Sequence, residues 1–247
     1  MIENAGKNGS DPIFVEFGGF SREAFAILNR IEREPNIARY RKERESINRE
    51  IVEPFRLYRD DLVVNWVIPG RLDFETERNV FSRLLKNDFG AGGCHHHLWM
   101  SFYRPHLSRL KDIQLSHCIR PVGFSVELFV GAYAREPLKT AISAMEAFPE
   151  TALQIINDLI TKQDFELEWT VGSGKNQQTR CAAEPINELP AWDAATKSIR
   201  MRRLIPKDKV LNLGSRLIAR SLVLVDQLWP LYQLWTSSQA TEEDAGL

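Results

Sequence analysis

The sequence predicts an α+β fold, a single domain built on a central, mainly antiparallel sheet flanked by N-terminal and C-terminal helices. Apolar residues recur at steps of three and four over 21–54, at steps of two over 113–130 and 165–171, and at near-helical steps again over 212–235. Strands that follow one another in a run, with helices before and after, give α+β instead of an alternating α/β architecture.

Each element follows from local chemistry. Residues 13–17 read as a short strand broken by Gly18-Gly19, and Ser21 is placed to cap a helix reaching about Glu34, with Phe25, Leu28 and Ile31 on one face. Pro35 suits the first turn of a second helix, whose stripe is Ile37, Tyr40, Arg44, Ile47 and Ile51, and Pro54 is expected to end it. Its outer residues, from Arg39 to Glu50, mix both charges as a solvated face does.

From residue 62 the composition changes. Residues 62–68, 79–85 and 98–103 are rich in β-branched and aromatic side chains, and each is predicted as a strand. Ile113, Leu115, His117 and Ile119 then alternate with Gln114, Ser116 and Cys118, and Phe124, Val126, Leu128 and Val130 alternate with Ser125, Glu127 and Phe129. Strict alternation predicts antiparallel strands with one face buried and one wetter. Pro137 opens a helix through Ala147, and another runs from Glu150 to about Lys162.

Phe165, Leu167, Trp169 and Val171 alternate before the turn Gly172-Ser173-Gly174-Lys175, and 198–205 comes after a loop holding Pro185 and Pro190. The stretch of about 164–205 reads as a peripheral hairpin insertion or as an extension of the sheet. Leu213, Leu217, Leu224, Leu228 and Leu231 mark a last helix from Asn212 to about Trp235, interrupted by Pro230. The expected organisation is a tail over 1–12, one α+β domain over 13–235 and an acidic tail over 236–247.

Composition narrows the function classes. The chain has 247 residues, 32 basic against 33 acidic, and a net charge of -1, so any attraction to nucleic acid or acidic lipid must come from a local patch. With 43% hydrophobic and 26% charged residues, disorder and collagen-like repeats are excluded for its bulk. Cys94, Cys118 and Cys181 are scattered and form no CxxC pair, which points to a reducing cytoplasm. The polar first residues do not read as a signal peptide. Arg220, Asp226, Gln227 and Pro230 break the longest apolar stretch, so no membrane span is expected.

Imidazole and thiolate donors gather at Cys94, His95, His96 and His97, with His117 and Cys118 on a later candidate strand. These donors suit zinc or iron. On an extended strand His95 and His97 share one face while Cys94 and His96 take the other, so a metal site needs His117 as its third ligand. The sequence has neither HExxH nor CxxC, and a polar strand edge accounts for the same residues. Two readings stay open: zinc or another divalent metal on His95, His97 and His117, or no cofactor.

Positive charge gathers elsewhere. Ser82, Arg83, Lys86, Asn87 and Asp88 precede a turn with Gly90, Gly92 and Gly93, and Arg104, His106, Arg109 and Arg120 come after it. Guanidinium forks and open glycine amides suit phosphate or carboxylate oxygens, and Trp99, Phe102 and Tyr103 are of the kind that stacks on bases. With the strands as neighbours, Arg83, Lys86, Arg104, Arg109 and Arg120 meet at one sheet end as an anion site. The alternative is a solvated rim, with Arg109 paired to Asp112 and the aromatic residues in the core.

Arg200, Arg202 and Arg203, near Lys207 and Lys209, form another basic cluster, readable as a nucleic-acid track or as a charged edge strand. The spacing around Gly172 to Lys175 is not that of a phosphate loop, and a hairpin turn is expected there. For proton transfer the candidates are Glu127, Asp88, His106 and His117, and no GxSxG elbow is present.

Several stretches resemble a family. Phe17-Gly18-Gly19-Phe20 with Phe25 and Leu28, Tyr40, Val52-Glu53-Pro54, the run from Asn79 to Gly90, the strand from Phe124 to Gly131, and Trp229-Pro230-Leu231-Tyr232 with Leu234 succeed one another in order. That order resembles the bacterial family called domain of unknown function 2461. The resemblance implies a mixed domain of helices and strands with no established activity.

The resulting expectation is a cytoplasmic, non-catalytic recognition domain that binds an anionic ligand or partner, nucleic acid among them, through the Arg and Lys lined sheet end. One alternative is a metal-dependent hydrolase using His95, His97 and His117, with Glu127 or Asp88 as base. Another is a structural subunit that docks a protein partner on the C-terminal helix through Trp229 and Trp235.

Overall fold

The computed structural model describes residues 15–86, 91–192 and 194–237. Helix α1 (Arg22–Arg33) starts where its cap predicts: Ser21 Oγ accepts the Ala24 amide at 3.1 Å and donates to Glu50 Oε2 at 2.7 Å. The cap thus also ties α1 to the next helical run. Helix α2 (Ile37–Ile47) is capped by Asn36, whose Oδ1 accepts the Arg39 amide at 2.9 Å, so Pro35 lies before the helix and not within it.

Pro54 does not end this run. A wide turn over Asn48–Val52, in which the Glu53 amide donates to the Asn48 carbonyl five residues back, leads straight into α3 (Glu53–Leu62), with Pro54 in its first turn. Proline lacks an N–H and collides with the carbonyl four residues back. The extra residue in the turn relaxes that conflict, and the helix passes through.

Residues 62–68 are not a strand. Val63–Val67 forms a second wide turn, and the Ile68 amide donates to the Val63 carbonyl at 3.0 Å. Valine, tryptophan and isoleucine prefer extended backbone locally, but extending an existing helix avoids the cost of starting a new element. Leu62 and Val67 are buried while Val64 and Ile68 are exposed, a helical distribution.

Residues 79–85 make isolated bridges, Phe81 to Met100 and Leu85 to Cys94, instead of a ladder, and Asn79 interrupts the run with φ 55°. No strand forms over Val15, Glu16 and Phe17; residues 13 and 14 of that expected strand lie outside the described part. Instead Asp61, itself buried, accepts the Glu16 amide on Oδ1 at 3.0 Å and the Phe17 amide on Oδ2 at 2.9 Å. A carboxylate here takes the place of a neighbouring strand.

The strands are β1 (Leu98–Phe102), β2 (Gln114–Arg120), β3 (Gly123–Val130), β4 (Glu166–Val171), β5 (Gln178–Ala182) and β6 (Thr196–Pro206). They form a six-stranded antiparallel sheet in the order β1-β2-β3-β6-β4-β5, and the α+β class is as expected. The stretch from residue 164 on extends the sheet: β4 and β5 pair as a hairpin, and β6 lies inside, between β3 and β4. Arg200, Arg202 and Arg203 are therefore not on an edge strand. β2 and β3 are buried on both faces, not on one.

Helices α4 (Arg135–Ala147) and α5 (Pro149–Gln163) come after β3, and α6 (Lys207–Leu213) and α7 (Leu217–Thr236) after β6. Pro230 lies inside α7. Among the described residues no helix is long and apolar enough to cross a membrane.

Two compact units can be distinguished. Of the described residues, the first holds those up to Pro105 with Ser116–Val126 and Leu204–Asp226; the second holds those of His106–Leu115, of Glu127–Arg203 and from Gln227 on. The first is centred on Phe17, Phe20, Phe55, Tyr58 and Phe124, with ring centroids 5.1 to 5.9 Å apart. In the second, Leu138, Ala141 and Met145 of α4, Ile156 and Leu159 of α5, and Leu167, Ile199 and Met201 of the strands are buried.

Replacing Asp61 strands two buried amides, so Asp61→Ala is expected to lower unfolding stability by about 3 kcal/mol in urea titrations. Asp60→Ala, beside it and half exposed, should stay within about 0.5 kcal/mol of wild type. Equal effects would contradict the role given to Asp61.

Candidate functional site

The expected metal ligands do not gather. His117 is fully buried, its Nδ1 lies 2.9 Å from Tyr58 Oη, and the rings of Tyr58, Phe102 and Phe124 surround it at 5.5, 6.1 and 6.3 Å. Its Nε2 has no hydrogen-bond partner among the described residues, and burial pushes its pKa from the ordinary 6.5 to about 3. His95 and His97 are half-buried with rings 5.1 Å apart, and His96 pairs with Glu32 at 3.7 Å.

Among the described residues, the donor atoms of His95, His97 and His117 do not come within 4.8 Å of one another; the group of three that does is Glu166, Glu168 and Cys181. Both of those carboxylates already hold arginines. Cys94 is buried, donates to the Asn36 carbonyl at 3.3 Å, and has its pKa raised by burial, so it is no activated nucleophile.

The basic residues belong to both units. Arg83 and Lys86 are exposed in the first unit, Arg104 and Arg120 are half-buried there, and Arg109 is half-buried in the second unit. Arg104, Arg109 and Arg120 each already engage other groups. Asn87, Asp88 and Gly90 lie outside the described residues. The carbonyls of Gly92 and Gly93 accept the amides of Ile37 and Lys86, and the Cys94 amide donates to Pro35, so this turn is used to dock the chain.

Ser82 Oγ accepts the Trp99 amide at 2.9 Å, which likewise spends it on structure. Phe102 and Tyr103 are core side chains and not open platforms for bases, and the Tyr103 hydroxyl donates to the Arg78 carbonyl at 2.6 Å. Of the two tryptophans expected to dock a partner, Trp235 is fully buried, whereas Trp229 is half-buried and stacks on Tyr232 at 5.0 Å. His106 is exposed.

A charge network lies on one face of the sheet in the second unit. Antiparallel pairing sets Glu166 opposite Arg202 and Glu168 opposite Arg200. Arg200 lies 3.1 Å from Glu127 on β3 and 3.0 Å from Glu168 on β4, while Arg202 lies 2.6 Å from Glu168 and 3.0 Å from Glu166. The Arg200–Glu127 approach is an ion pair without hydrogen-bond geometry: among the described residues Arg200 Nε has no hydrogen-bond acceptor. The Arg200 guanidinium also covers the Phe129 ring at 4.9 Å. That ring lies over Gly131, where a Cβ would come within 2.8 Å of it.

Beside this ladder is a shallow cavity, wide open to solvent and of about 450 Å³, formed within the second unit. Gln114, Phe129, Gly131, Thr170, Lys197 and Ser198 line it, and the exposed Tyr133 and Leu110 stand at its rim. Thr170 and Ser198 face each other across β4 and β6, and beyond them the pairing shifts so that Val171 meets Thr196 and leaves Lys197 as an extra residue. In a regular strand consecutive side chains take opposite faces; at this bulge Lys197 and Ser198 line the same cavity.

Gln114 is only 1% exposed; its Oε1 is closed off from the cavity and has no hydrogen-bond partner among the described residues. None of these residues stands out among the sequence candidates. Alternation puts Gln114 on the wetter face of its strand, and a bulge leaves no mark in residue type.

No family model matches the chain, and no curated protein matches it. The functional reading therefore rests on the geometry.

Two measurements check this site. His117 stays neutral in the fold while the unfolded chain binds a proton below pH 6.5, so stability is complete above that value. It should fall as pH drops toward 3, by at most ~1.4 kcal/mol per pH unit, and His117→Gln should remove that component of the slope; an unchanged slope refutes the assignment. Arg200→Met leaves the buried Glu127 without this counter-charge and should cost about 3 kcal/mol, part of which Glu127→Gln restores in the double variant.

Proposed function

We propose that the chain is a recognition domain that holds a small anionic organic ligand in the cavity of its second unit. The observation that carries this reading is the bulge in β6, which brings Lys197 and Ser198 to one cavity and so sets an ammonium beside a hydroxyl there. Lys197 is the one residue of the lining with a formal charge, which favours an anion. Carboxylate, imidazole and thiol groups are missing from the lining, so its chemistry suits binding more than proton transfer.

This keeps the expected recognition of an anion and moves its centre. Arg104, Arg109 and Arg120 are engaged elsewhere, whereas the exposed Arg83 and Lys86 remain placed for transient contact with a polyanion. The free thiols of Cys94, Cys118 and Cys181 support a reducing compartment such as the cytoplasm.

Ligand-observed NMR with a library of small organic acids tests the proposal. Binding should be saturable in the wild-type chain and at least tenfold weaker, about 1.4 kcal/mol, in a cavity-filling Ser198→Trp variant that retains a cooperative melt. Acids that bind the filled variant equally well would place recognition elsewhere.

A further inference from the structure

We infer that His95 and His97, in the segment that leads into β1, form a two-point seat for a divalent transition-metal ion of the nickel, copper or zinc kind. The pair belongs to the first unit and is independent of the recognition reading above.

The backbone fixes the pair before any ion arrives. Gly93 and Cys94 bridge to Asn36 and Leu85, the Cys94 amide donates to the Pro35 carbonyl at 3.0 Å, and the His95 amide donates to the Leu84 carbonyl at 2.6 Å. Two residues after His97, the Trp99 amide donates to Ser82 Oγ at 2.9 Å and the Trp99 carbonyl accepts the Ser82 amide at 2.7 Å. The segment is clamped on both sides of the histidines, so little backbone freedom is left to lose on binding.

The ring spacing fits a shared ion. A metal–nitrogen bond of about 2.1 Å, with the ring centre roughly 1.1 Å further on, puts an ion about 3.2 Å from each ring centroid. Two imidazoles bound at between about 90° and 109°, octahedral to tetrahedral, then have centroids roughly 4.5 to 5.2 Å apart. The centroids of His95 and His97 are 5.1 Å apart. Rotation about the Cβ–Cγ bond, a broad torsion in histidine, turns a ring nitrogen toward the ion while the centroid stays nearly in place.

The donors select the ion. Imidazole suits nickel, copper and zinc, whereas magnesium and calcium take oxygen. Among the described residues no group of three donor atoms within 4.8 Å includes either ring, so two protein ligands hold the ion and water completes its shell. His96 lies 3.7 Å from Glu32, and its ring, 5.4 Å from His97, falls outside the chelating range. Lys86 opposes positive charge at His95, which weakens the site, while Glu32 offsets part of that repulsion.

Calorimetric titration of the untagged full chain with nickel chloride tests the pair, in a Cys181→Ser background because that thiol is exposed. One ion per chain should bind, with a dissociation constant on the order of 10 μM, and at least about tenfold more weakly in His95→Gln or His97→Gln. His96→Gln should stay within about threefold of the starting chain, and Lys86→Gln should bind about threefold more tightly. Thermal melts establish that the variants are folded. No binding at millimolar nickel, unchanged affinity in His95→Gln or His97→Gln, or an equal loss in all three histidine variants overturns the inference and leaves the two rings in simple contact.

Discussion

Arg200 ties three strands together. Its guanidinium lies between Glu127 of β3 and Glu168 of β4 and rests on Phe129, while its own strand, β6, runs between those two. Glu127 is almost wholly buried, and a buried carboxylate requires a counter-charge. The pair thus constrains register: a one-residue slip of β6 would send Arg200 to the opposite face and leave Glu127 without this partner. With Arg202 bridging Glu166 and Glu168, the ladder holds the β4–β6 pairing up to the point where it breaks at Lys197.

The cavity of the second unit depends on that register. Phe129 is held beneath Arg200 and above a glycine that has no Cβ to obstruct it, and the ring becomes one wall of the cavity. The bulge next to the ladder brings an ammonium and a hydroxyl to the same side, and Gln114 on β2 adds to the lining of the cavity. In the first unit the corresponding constraint is Asp61, which fastens the chain before α1 by two backbone amides, while Ser21 fastens the start of α1 to Glu50. Both devices use a charged oxygen where a neighbouring strand or helix gives no backbone partner.

Much of the fold was legible from side-chain periodicity. The two-residue alternation around His117 and Phe124 and from Phe165 to Val171 located β2, β3 and β4, and Ser21 marked the start of α1, because these signals arise from burial on one face and from a single capping bond. Pro54 misled because a wide turn just before it absorbs its steric conflict, and residues 62–68 misled because an existing helix outweighs the strand preference of Val63, Val64 and Trp66. Arg200 and Arg202 looked like edge protection since their carboxylate partners are more than thirty residues away in the chain. The cavity was not legible at all: Lys197 and Ser198 acquire a common direction only from a shift in pairing, and Gln114 becomes distinctive only once its amide is found buried without a partner.

The most direct test is an NMR titration of the isotope-labelled chain with a small organic acid that binds in the ligand-observed screen, monitoring the backbone amides of Phe129, Lys197 and Ser198. Saturable shifts at all three with one common dissociation constant, and little change at Arg83 and Lys86, are predicted. Shifts confined to the basic surface residues, with the Lys197 and Ser198 amides unmoved at saturation, would contradict binding in the cavity.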